Sequence, residues 1–179
     1  MTNIDCYIIA GGSSLDGFDF SALKGATRIG VDGSAFTVDC DVLVSVVRDF
    51  TLDNKDALDA FEGEKIIAAP RSRMEEALEG VTYMMMGYGD GFGLEGELRG
   101  YESGFAALNL AWQRGYGKIG LLGFDMLDNA RWAERFNSVA NMVDCVNFVG
   151  EDGSAITAFP TRPLSDLNPK PKKKRNETA

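Results

Sequence analysis

The stretch Asp5-Cys6-Tyr7-Ile8-Ile9-Ala10-Gly11-Gly12-Ser13-Ser14 decides the fold of this chain. Residues 5–10 form an almost continuous apolar run, which is typical of a strand that is covered on both faces of a parallel sheet. Gly11 and Gly12 end the run, and small residues at such a junction allow either a tight turn or the close approach of a ligand to the main chain. Two interpretations stay open: a simple turn out of a buried strand, and a phosphate-binding loop at a helix start.

The rest of the chain alternates between apolar runs and helical patterns. The predicted strands cover residues 5–10, 27–31, 42–47, 65–69, 81–86 and 118–122, and the predicted helices or helical turns cover residues 19–23, 55–61, 103–115 and 130–143. Asp53 is the expected N-cap of the second helix, and Ser72 with Glu75 matches a capping box for a further short helix. This alternation predicts an α/β fold, a mostly parallel sheet with helices on both faces.

Two segments do not follow this alternation. Residues 146–149 and 155–159 are apolar runs separated by Gly150-Glu151-Asp152-Gly153, which predicts a C-terminal β-hairpin. Residues 88–100 contain five glycines, and both a mobile lid over a site and a long surface excursion explain that composition.

Composition indicates one globular domain with an appended tail. The chain has 179 residues, of which 45% are hydrophobic, so we expect a single domain at residues 1–165 and a flexible basic tail at 166–179. It has no run of 18 apolar residues and no basic-then-apolar leader, so we expect a cytoplasmic protein without a membrane span. The three cysteines, Cys6, Cys40 and Cys145, are too widely spaced for a metal clip and are expected to be buried thiols.

The charge is unevenly distributed between the body and the tail. The net charge is −9, but residues 1–169 carry 13 basic against 26 acidic side chains, a net −13. Such a body is a poor surface for duplex nucleic acid. Five basic residues are concentrated in the tail: Lys170, Lys172, Lys173, Lys174 and Arg175. A solubilising role and contact with nucleic acid or with a virion protein stay open for this tail.

Candidate site residues follow the ends of the predicted strands or start a helix. Because the carboxyl ends of parallel strands meet at one edge, where ligands bind, we expect these residues to form one site. They are Gly11, Gly12, Ser13, Ser14, Asp32, Ser103, Gly104 and Asp125. Asp32 and Asp125 are suited to accept hydrogen bonds from a ribose or a base, and Asp125 is also suited to bind a metal ion. Each aspartate alone is equally typical of a turn or a helix cap.

The chain contains no histidine. This removes the side chain used most often as a general base near neutral pH and the commonest zinc ligand. In an enzyme, a carboxylate, Asp32 or Asp125, or a divalent ion held by one of them, is expected to take its place. The cofactor stays open, and a nucleotide with Mg²⁺ is the candidate.

Two blocks of the sequence resemble known families. The segment Ile8-Ile9-Ala10-Gly11-Gly12-Ser13-Ser14-Leu15 resembles the opening, a hydrophobic strand followed by Gly-Pro-Ser-Leu, of bacterial family 42 sialyltransferases and of proteins similar to 6-hydroxymethylpterin diphosphokinase. Ser103-Gly104, the helix after it and Leu121-Leu122-Gly123-Phe124-Asp125 resemble their second block. The phrase from Gly17 to Gly25 is similar to small phage-encoded proteins of this type. The resemblance covers roughly residues 5–137.

The resemblance implies a Rossmann-like nucleotide-binding domain. By resemblance, Gly11 to Ser14 line the phosphates, Asp32 lies near the nucleoside, and Ser103, Gly104 and Asp125 complete the pocket. The chain departs from the families in having Ser13 where proline is usual and in lacking the sialyltransferase histidine and the larger catalytic and membrane-associated portions.

Three functions are compatible with these observations. The first is a nucleotide-dependent transferase, either nucleotide-sugar glycosyltransferase-like or diphosphokinase-like, with a nucleotide or nucleotide-sugar as ligand. The second is a binding module that sequesters a nucleotide without chemistry. The third is a phage virion or assembly protein that reuses the fold, located in the host cytoplasm or in the particle.

Overall fold

The fold is an α/β fold built on a nine-stranded parallel sheet. A computed structural model describes residues 3–47, 49–72, 78–127 and 130–167. The strands are β1 (Cys6–Ile9), β2 (Thr27–Val31), β3 (Val42–Ser45), β4 (Glu64–Ala69), β5 (Val81–Gly87), β6 (Glu97–Arg99), β7 (Ile119–Leu122), β8 (Cys145–Val149) and β9 (Thr161–Pro163). Their order is β6-β5-β4-β3-β2-β1-β7-β8-β9, and every neighbouring pair is parallel. The predicted Rossmann-like sheet is confirmed.

Strand β1 lies in the interior of this order, and this position explains its apolar sequence. Cys6 is opposite Thr27 of β2 on one side and Ile119 of β7 on the other. Because side chains alternate along a strand, Ile8 points into the core on one face and Ile9 into the core on the other. Both are fully buried. A strand without an exposed face has no position for a polar side chain, which is why the run is continuous.

Helices cover both faces of the sheet, as predicted. They are α1 (Ser34–Thr37), α2 (Phe50–Asp53), α3 (Lys55–Ala60), α4 (Ser103–Gln113) and α5 (Ala130–Asn137). Phe105 and Leu108 of α4 pack in the same cluster as Ile8, so this face of α4 belongs to the core. Leu58 of α3 packs with Leu43 of β3 on the other face of the sheet. The residues on either side of Leu43 in β3 point to the face that α4 covers.

The helix boundaries differ from the prediction at two places. Asp53 is the last residue of α2, and Asn54 precedes α3, so Asp53 is not the cap of that helix. Helix α5 ends at Asn137 rather than at residue 143. There the Ser138 hydroxyl donates to the Arg135 carbonyl at 2.7 Å, and such a local side-chain bond competes with continued helix.

The predicted C-terminal hairpin is wrong. Strand β8 does contain residues 146–149, but its partner is β9, and the two run parallel with Asn147 opposite Thr161. A parallel partner cannot be reached by a tight turn, so the chain needs a crossover between them. Residues 155–159 belong to that crossover and form no strand.

Burial explains why the crossover is apolar. Ile156 is fully buried and Phe159 is 4% exposed, and both belong to the cluster that surrounds Phe136. The Ala155 amide donates to the Asp125 carbonyl at 3.1 Å and holds the start of the crossover against the end of β7. The apolar run therefore fills a core position next to α5, and its resemblance to a strand is a consequence of burial alone.

The glycine-rich segment 88–100 is fixed to the body by α4. It contains β6, which extends the sheet beyond β5. Phe92 is 7% exposed, and its ring centre lies 5.1 Å from that of Trp112 and 5.6 Å from that of Phe105. Of the two interpretations, a surface excursion agrees better with this anchoring than a free lid.

Asn109 of α4 is the polar part of this anchor. It is fully buried, and its Oδ1 atom accepts hydrogen bonds from the amides of Gly93 at 2.9 Å and Arg99 at 2.8 Å. A buried amide without an acceptor is costly, and this one side chain satisfies two amides of the glycine-rich segment.

The three cysteines are free and buried, as expected. Burial raises the pKa of Cys6 and of Cys40 to about 12, so both thiols are uncharged at neutral pH. Among the described residues, none of the helices has the length and apolar character needed to span a bilayer. Several predicted features lie outside the described residues: Glu75 of the capping box, and the tail with Lys170, Lys172, Lys173, Lys174 and Arg175.

The role of Asn109 is testable by substitution. Asn109→Ala leaves the amides of Gly93 and Arg99 without their acceptor, so the free energy of unfolding in urea is expected to fall by about 2–4 kcal/mol. Asn137→Ala removes an exposed side chain of the same type and is expected to change it by less than about 0.5 kcal/mol. Equal effects of the two substitutions would contradict the anchoring role.

Candidate functional site

The strand order creates a topological switch point between β1 and β7. From β1 the chain builds outward through β2 to β6 on one side, then returns to place β7, β8 and β9 on the other. The loops that leave β1 and β7 therefore diverge at the carboxyl edge of the sheet. In open parallel sheets this is where ligands bind.

Gly12 and Asp125 meet at this switch point. The Gly12 amide donates to the Gly123 carbonyl at 3.0 Å, and the Ser14 amide donates to Asp125 Oδ2, also at 3.0 Å. A Cβ atom on Gly12 would lie 2.6 Å from Asp125 Oδ2, whereas a Cβ atom on Gly11 would meet only Ser34 Oγ at 4.0 Å. Glycine is thus required sterically at position 12 and not at position 11.

The turn after β1 differs from the expected start of a helix. Ser13–Leu15 is a three-residue 3₁₀ helix, and no regular helix follows it directly. The Ser14 amide is already bound to Asp125 and is not free for a phosphate. A macrodipole of the size that a long helix provides is therefore missing at this turn, and any phosphate there needs another source of positive charge.

A cavity of about 790 Å³ opens beside this junction. Its walls are the turn after β1, the exit of β7, the Gly150–Gly153 turn after β8 and the residues after β9. Four carboxylates line it, those of Asp16, Asp125, Glu151 and Asp152, and none of its described lining residues is Lys or Arg. An anion entering it therefore needs an accompanying cation, because like charges repel.

Asp32 and Ser103 form a second polar group at the same edge. The Ser103 hydroxyl donates to Asp32 Oδ1 at 2.7 Å, and Ser103 Oγ accepts from the Val46 amide at 3.0 Å. Asp32 has a left-handed backbone with φ of 50°, which aspartate tolerates better than most residues. These contacts tie the start of α4 to the ends of β2 and β3.

The environment of Asp32 disfavours its charge. Burial raises the pKa of Asp32 above its ordinary value, and the hydroxyls of Ser45 and Ser103, which hydrogen-bond to the carboxylate, act in the opposite direction. The raised pKa of such a carboxyl group is closer to that of a useful general base than the pKa of an exposed aspartate is.

The predicted site residues thus fall into two groups on one edge. Gly12, Ser13, Ser14 and Asp125 line the 790 Å³ cavity, whereas Asp32, Ser103, Gly11 and Gly104 do not. Strand β2, which leads to Asp32, lies next to β1, so the groups are neighbours in the sheet order. A Cβ atom on Gly104 would lie 2.6 Å from Phe124 Cε1, so this glycine permits close packing of α4 against the residue that precedes Asp125.

Glu102 is a functional candidate that the sequence did not single out. It is 7% exposed, and neither carboxylate oxygen has a hydrogen-bond partner among the described residues. Arg135 Nε lies 3.9 Å from Glu102 Oε1, and the Arg135 guanidinium carbon lies 4.3 Å from the centre of the Tyr101 ring. A glutamate directly before a helix is usually exposed. Only its burial distinguishes Glu102 from such a residue, and this burial depends on α5.

The pKa of Glu102 reflects this burial. Burial raises the pKa above its ordinary value, while the positive charge of Arg135 and, after it, the nearby backbone N–H groups of Glu102 and Tyr101 lower it. These N–H groups influence the carboxylate without reaching hydrogen-bond geometry. Glu102 lines a second cavity, of about 750 Å³, together with residues of α5.

No preformed metal centre accompanies these groups. Within residues 3–47, 49–72, 78–127 and 130–167, no cluster of three or more Cys, Asp or Glu side chains has the arrangement needed to hold a metal ion. A divalent ion can nevertheless be held by one or two carboxylates together with substrate phosphates, which is the usual manner of Mg²⁺. Asp125 is the carboxylate of the switch point suited to such a role.

The contrast between the two adjacent glycines is testable. Gly12→Ala forces apart the turns after β1 and β7, so the free energy of unfolding is expected to fall by about 1–3 kcal/mol. Gly11→Ala enters open space and is expected to change it by less than about 0.5 kcal/mol. Urea denaturation of both variants checks this, and a larger loss for Gly11→Ala would contradict the close contact at Gly12.

The pKa of Asp32 predicts a pH dependence of stability. The folded-state pKa lies above the ordinary value of 3.8, so the stabilisation that Asp32 gives is fully present below pH 3.8 and is lost as the pH rises through the folded-state pKa. The substitution Asp32→Asn keeps an acceptor for Ser103, and an asparagine also tolerates the left-handed backbone. This variant is therefore expected to gain stability relative to the wild type between pH 3.8 and neutrality.

Urea denaturation across this pH range measures the difference. Asp59→Asn, which removes an exposed carboxylate of α3, serves as the matched control. A difference between Asp32→Asn and wild type that does not change with pH, or that moves in favour of the wild type as the pH rises, would contradict the buried carboxyl.

No protein-family model matches the chain, and no similar curated protein and no similar solved structure is found. The strand order and the parallel pairing alone therefore identify the fold as Rossmann-like. The resemblance of the two sequence blocks to known families stays a prediction, and the function has to be inferred from the carboxyl edge of the sheet.

Proposed function

We propose that this chain is a nucleotide-binding, transferase-like protein that takes the phosphates of its ligand at the switch point between β1 and β7. The observation that carries the proposal is the junction of Gly12, Ser14 and Asp125, where the Asp125 carboxylate and the turns after β1 and β7 meet at the wall of a cavity. A cavity of about 790 Å³ is within the range of small-molecule sites, which hold ligands of nucleotide size.

The charge of the cavity defines the form in which the ligand binds. Four carboxylates repel a bare phosphate, so a divalent cation would have to accompany the ligand; Asp125 would hold this cation, whose charge would offset that of the phosphates. Mg²⁺ keeps several waters and accepts one or two protein carboxylates, so a preformed cluster of ligands is unnecessary. The ligand of this proposal is a magnesium complex of a nucleotide or a nucleotide-sugar.

Transfer needs a proton acceptor, and the chain has no histidine for it. An acceptor oxygen forms a bond to the transferred phosphorus or sugar carbon while the bond from that atom to the leaving phosphate oxygen breaks, and the acceptor proton passes to a carboxylate. Asp125 lines the cavity, and Asp32 lies one strand away with a raised pKa. Because Asp125 would hold the cation, we propose Asp32 as the proton acceptor.

Ligand-dependent thermal stabilisation tests the binding. Nucleoside di- and triphosphates with Mg²⁺ are expected to raise the Tm of the wild type, by the equivalent of about 2.7 kcal/mol at 100 times Kd. Asp125→Asn keeps an acceptor for the Ser14 amide and removes the charge, so it is expected to lose most of the shift. Asp59→Asn is expected to retain it. Unchanged melting of the wild type with every nucleotide, with and without Mg²⁺, would refute the proposal.

Turnover separates the transferase from a sequestering module. Incubation with nucleoside triphosphates or CMP-sugars and Mg²⁺ is expected to release the product nucleotide, which chromatography detects. Stabilisation by nucleotides without release would favour the sequestering module. If no nucleotide binds, the virion or assembly role becomes the better hypothesis, and co-purification with particles tests it.

A further inference from the structure

We propose that the cavity beside Glu102 binds the base of a guanine nucleotide and so gives the site its base specificity. This inference rests on the proposed nucleotide binding and names the ligand more closely. It is carried by a buried carboxylate without hydrogen bonds, by the arginine that contacts it, and by the aromatic ring on which that arginine lies.

The Glu102 carboxylate lacks the partners that its burial requires. Its side chain is 6% exposed, and both oxygens are without a hydrogen bond in the described part of the chain. A buried polar group without a partner costs stability whether it is charged or neutral. Arg135 Nε is 3.9 Å from Oε1, which is too long for a hydrogen bond, so this ion pair satisfies the charge only in part.

The guanidinium of Arg135 indicates which shape of ligand would fit beside Glu102. Its guanidinium is planar, carries N–H donors at its edge, lies over the Tyr101 ring at 4.3 Å and faces Glu102. The edge of guanine that carries N1–H and the 2-amino group is itself a guanidine unit fused into a ring. A guanine base in the same position would stack on Tyr101 and direct two donors at the two oxygens of Glu102.

The geometry of the donors selects guanine among the common bases. A carboxylate with two free oxygens needs two adjacent donors, as in its bidentate pairs with arginine. Adenine and cytosine each present an amino donor beside a ring nitrogen that is an acceptor, so one carboxylate oxygen would face a lone pair. Uracil presents a single N–H between two carbonyls. Guanine alone of the four presents two donors side by side.

The cavity has the remaining features of a base site. Tyr101 and Trp132 are 60% and 46% exposed, and such rings provide surfaces on which bases stack. Arg131 and Arg135 bring positive charge that the switch-point cavity lacks, and they lie in a lining that also contains the carboxylates of Asp90, Glu102 and Glu134. In this proposal Arg135 occupies the base position in the free protein, covers the oxygens of Glu102 and swings out to admit the base.

The two cavities border the same stretch of chain. Asp125 and Leu127, after β7, line the switch-point cavity, and Arg131 at the start of α5 lines the Glu102 cavity. Gly104, two residues after Glu102, lies against Phe124. A nucleotide with its phosphates at Asp125 and its base at Glu102 follows the carboxyl edge of the sheet.

The test compares GDP, IDP and ADP, each with Mg²⁺, by titration of the full chain. Guanine has both donors, hypoxanthine lacks the amino group, and adenine has the mismatched edge. Wild type is expected to bind GDP about ten-fold or more tightly than ADP, with IDP between them. Glu102→Gln, which replaces one acceptor oxygen by a donor, is expected to reduce the GDP preference to about two-fold or less.

Glu62→Gln is the matched control, because Glu62 is an exposed carboxylate between α3 and β4 that lines neither cavity. It is expected to keep the wild-type preference. Should Glu102→Gln fail to fold, Glu102→Asp, which keeps the charge but withdraws the oxygens by one methylene, is expected to have an intermediate preference. The wild-type comparison of the three nucleotides needs no variant and is sufficient by itself to overturn the guanine site.

The failures of this inference and of the proposed function are distinguishable. Equal affinity of wild type for GDP, IDP and ADP would overturn the guanine site and leave nucleotide binding intact. A GDP preference that Glu102→Gln retains would also overturn it, because the base would be recognised elsewhere. Absence of binding by all three would overturn this inference, whereas the proposed function is refuted only if the other nucleotides and the nucleotide-sugars also fail to bind.

Discussion

The interior position of β1, at the point where the strand order reverses, is the constraint on which the other elements depend. It pairs with β2 on one side and with β7 on the other, and its side chains are buried on both faces. Parallel neighbours can only be reached by crossovers, so each connection returns over a face of the sheet and each strand ends at the same edge. The reversal of strand order at β1 then opens the cavity between the turns that follow β1 and β7.

The central strands were predictable because burial on two faces leaves a continuous apolar run that no other element of that length requires. The strands at the edges of the sheet were not predictable in this way. Strand β6 consists of Glu97, Leu98 and Arg99, and its pairing depends on Asn109 and Phe92 rather than on its own composition. The hairpin prediction was wrong because an apolar run need not be a strand. Ile156 and Phe159 pack in the core without belonging to a strand.

The candidate site was predictable only as far as topology determines it. Strand ends at one edge follow from parallel pairing, and Asp125 does meet the turn after β1. The sequence does not distinguish Gly12 from Gly11, because the distinction depends on contact with Gly123, more than a hundred residues away. The same holds for the carboxylate of Glu102, which is buried by a helix that begins 28 positions later.

The two outermost strands have a consequence for how the protein behaves among its own copies. An edge strand with unpaired N–H and C=O groups can pair with a strand of another molecule, and this is a common route to aggregation. Here β6 and β9 are only three residues long. Pro163 of β9 has no N–H group to donate. The side-chain amide of Gln113 already donates to the Glu97 carbonyl of β6 at 2.7 Å. The sheet is thus terminated at both margins, and its growth by intermolecular pairing is disfavoured.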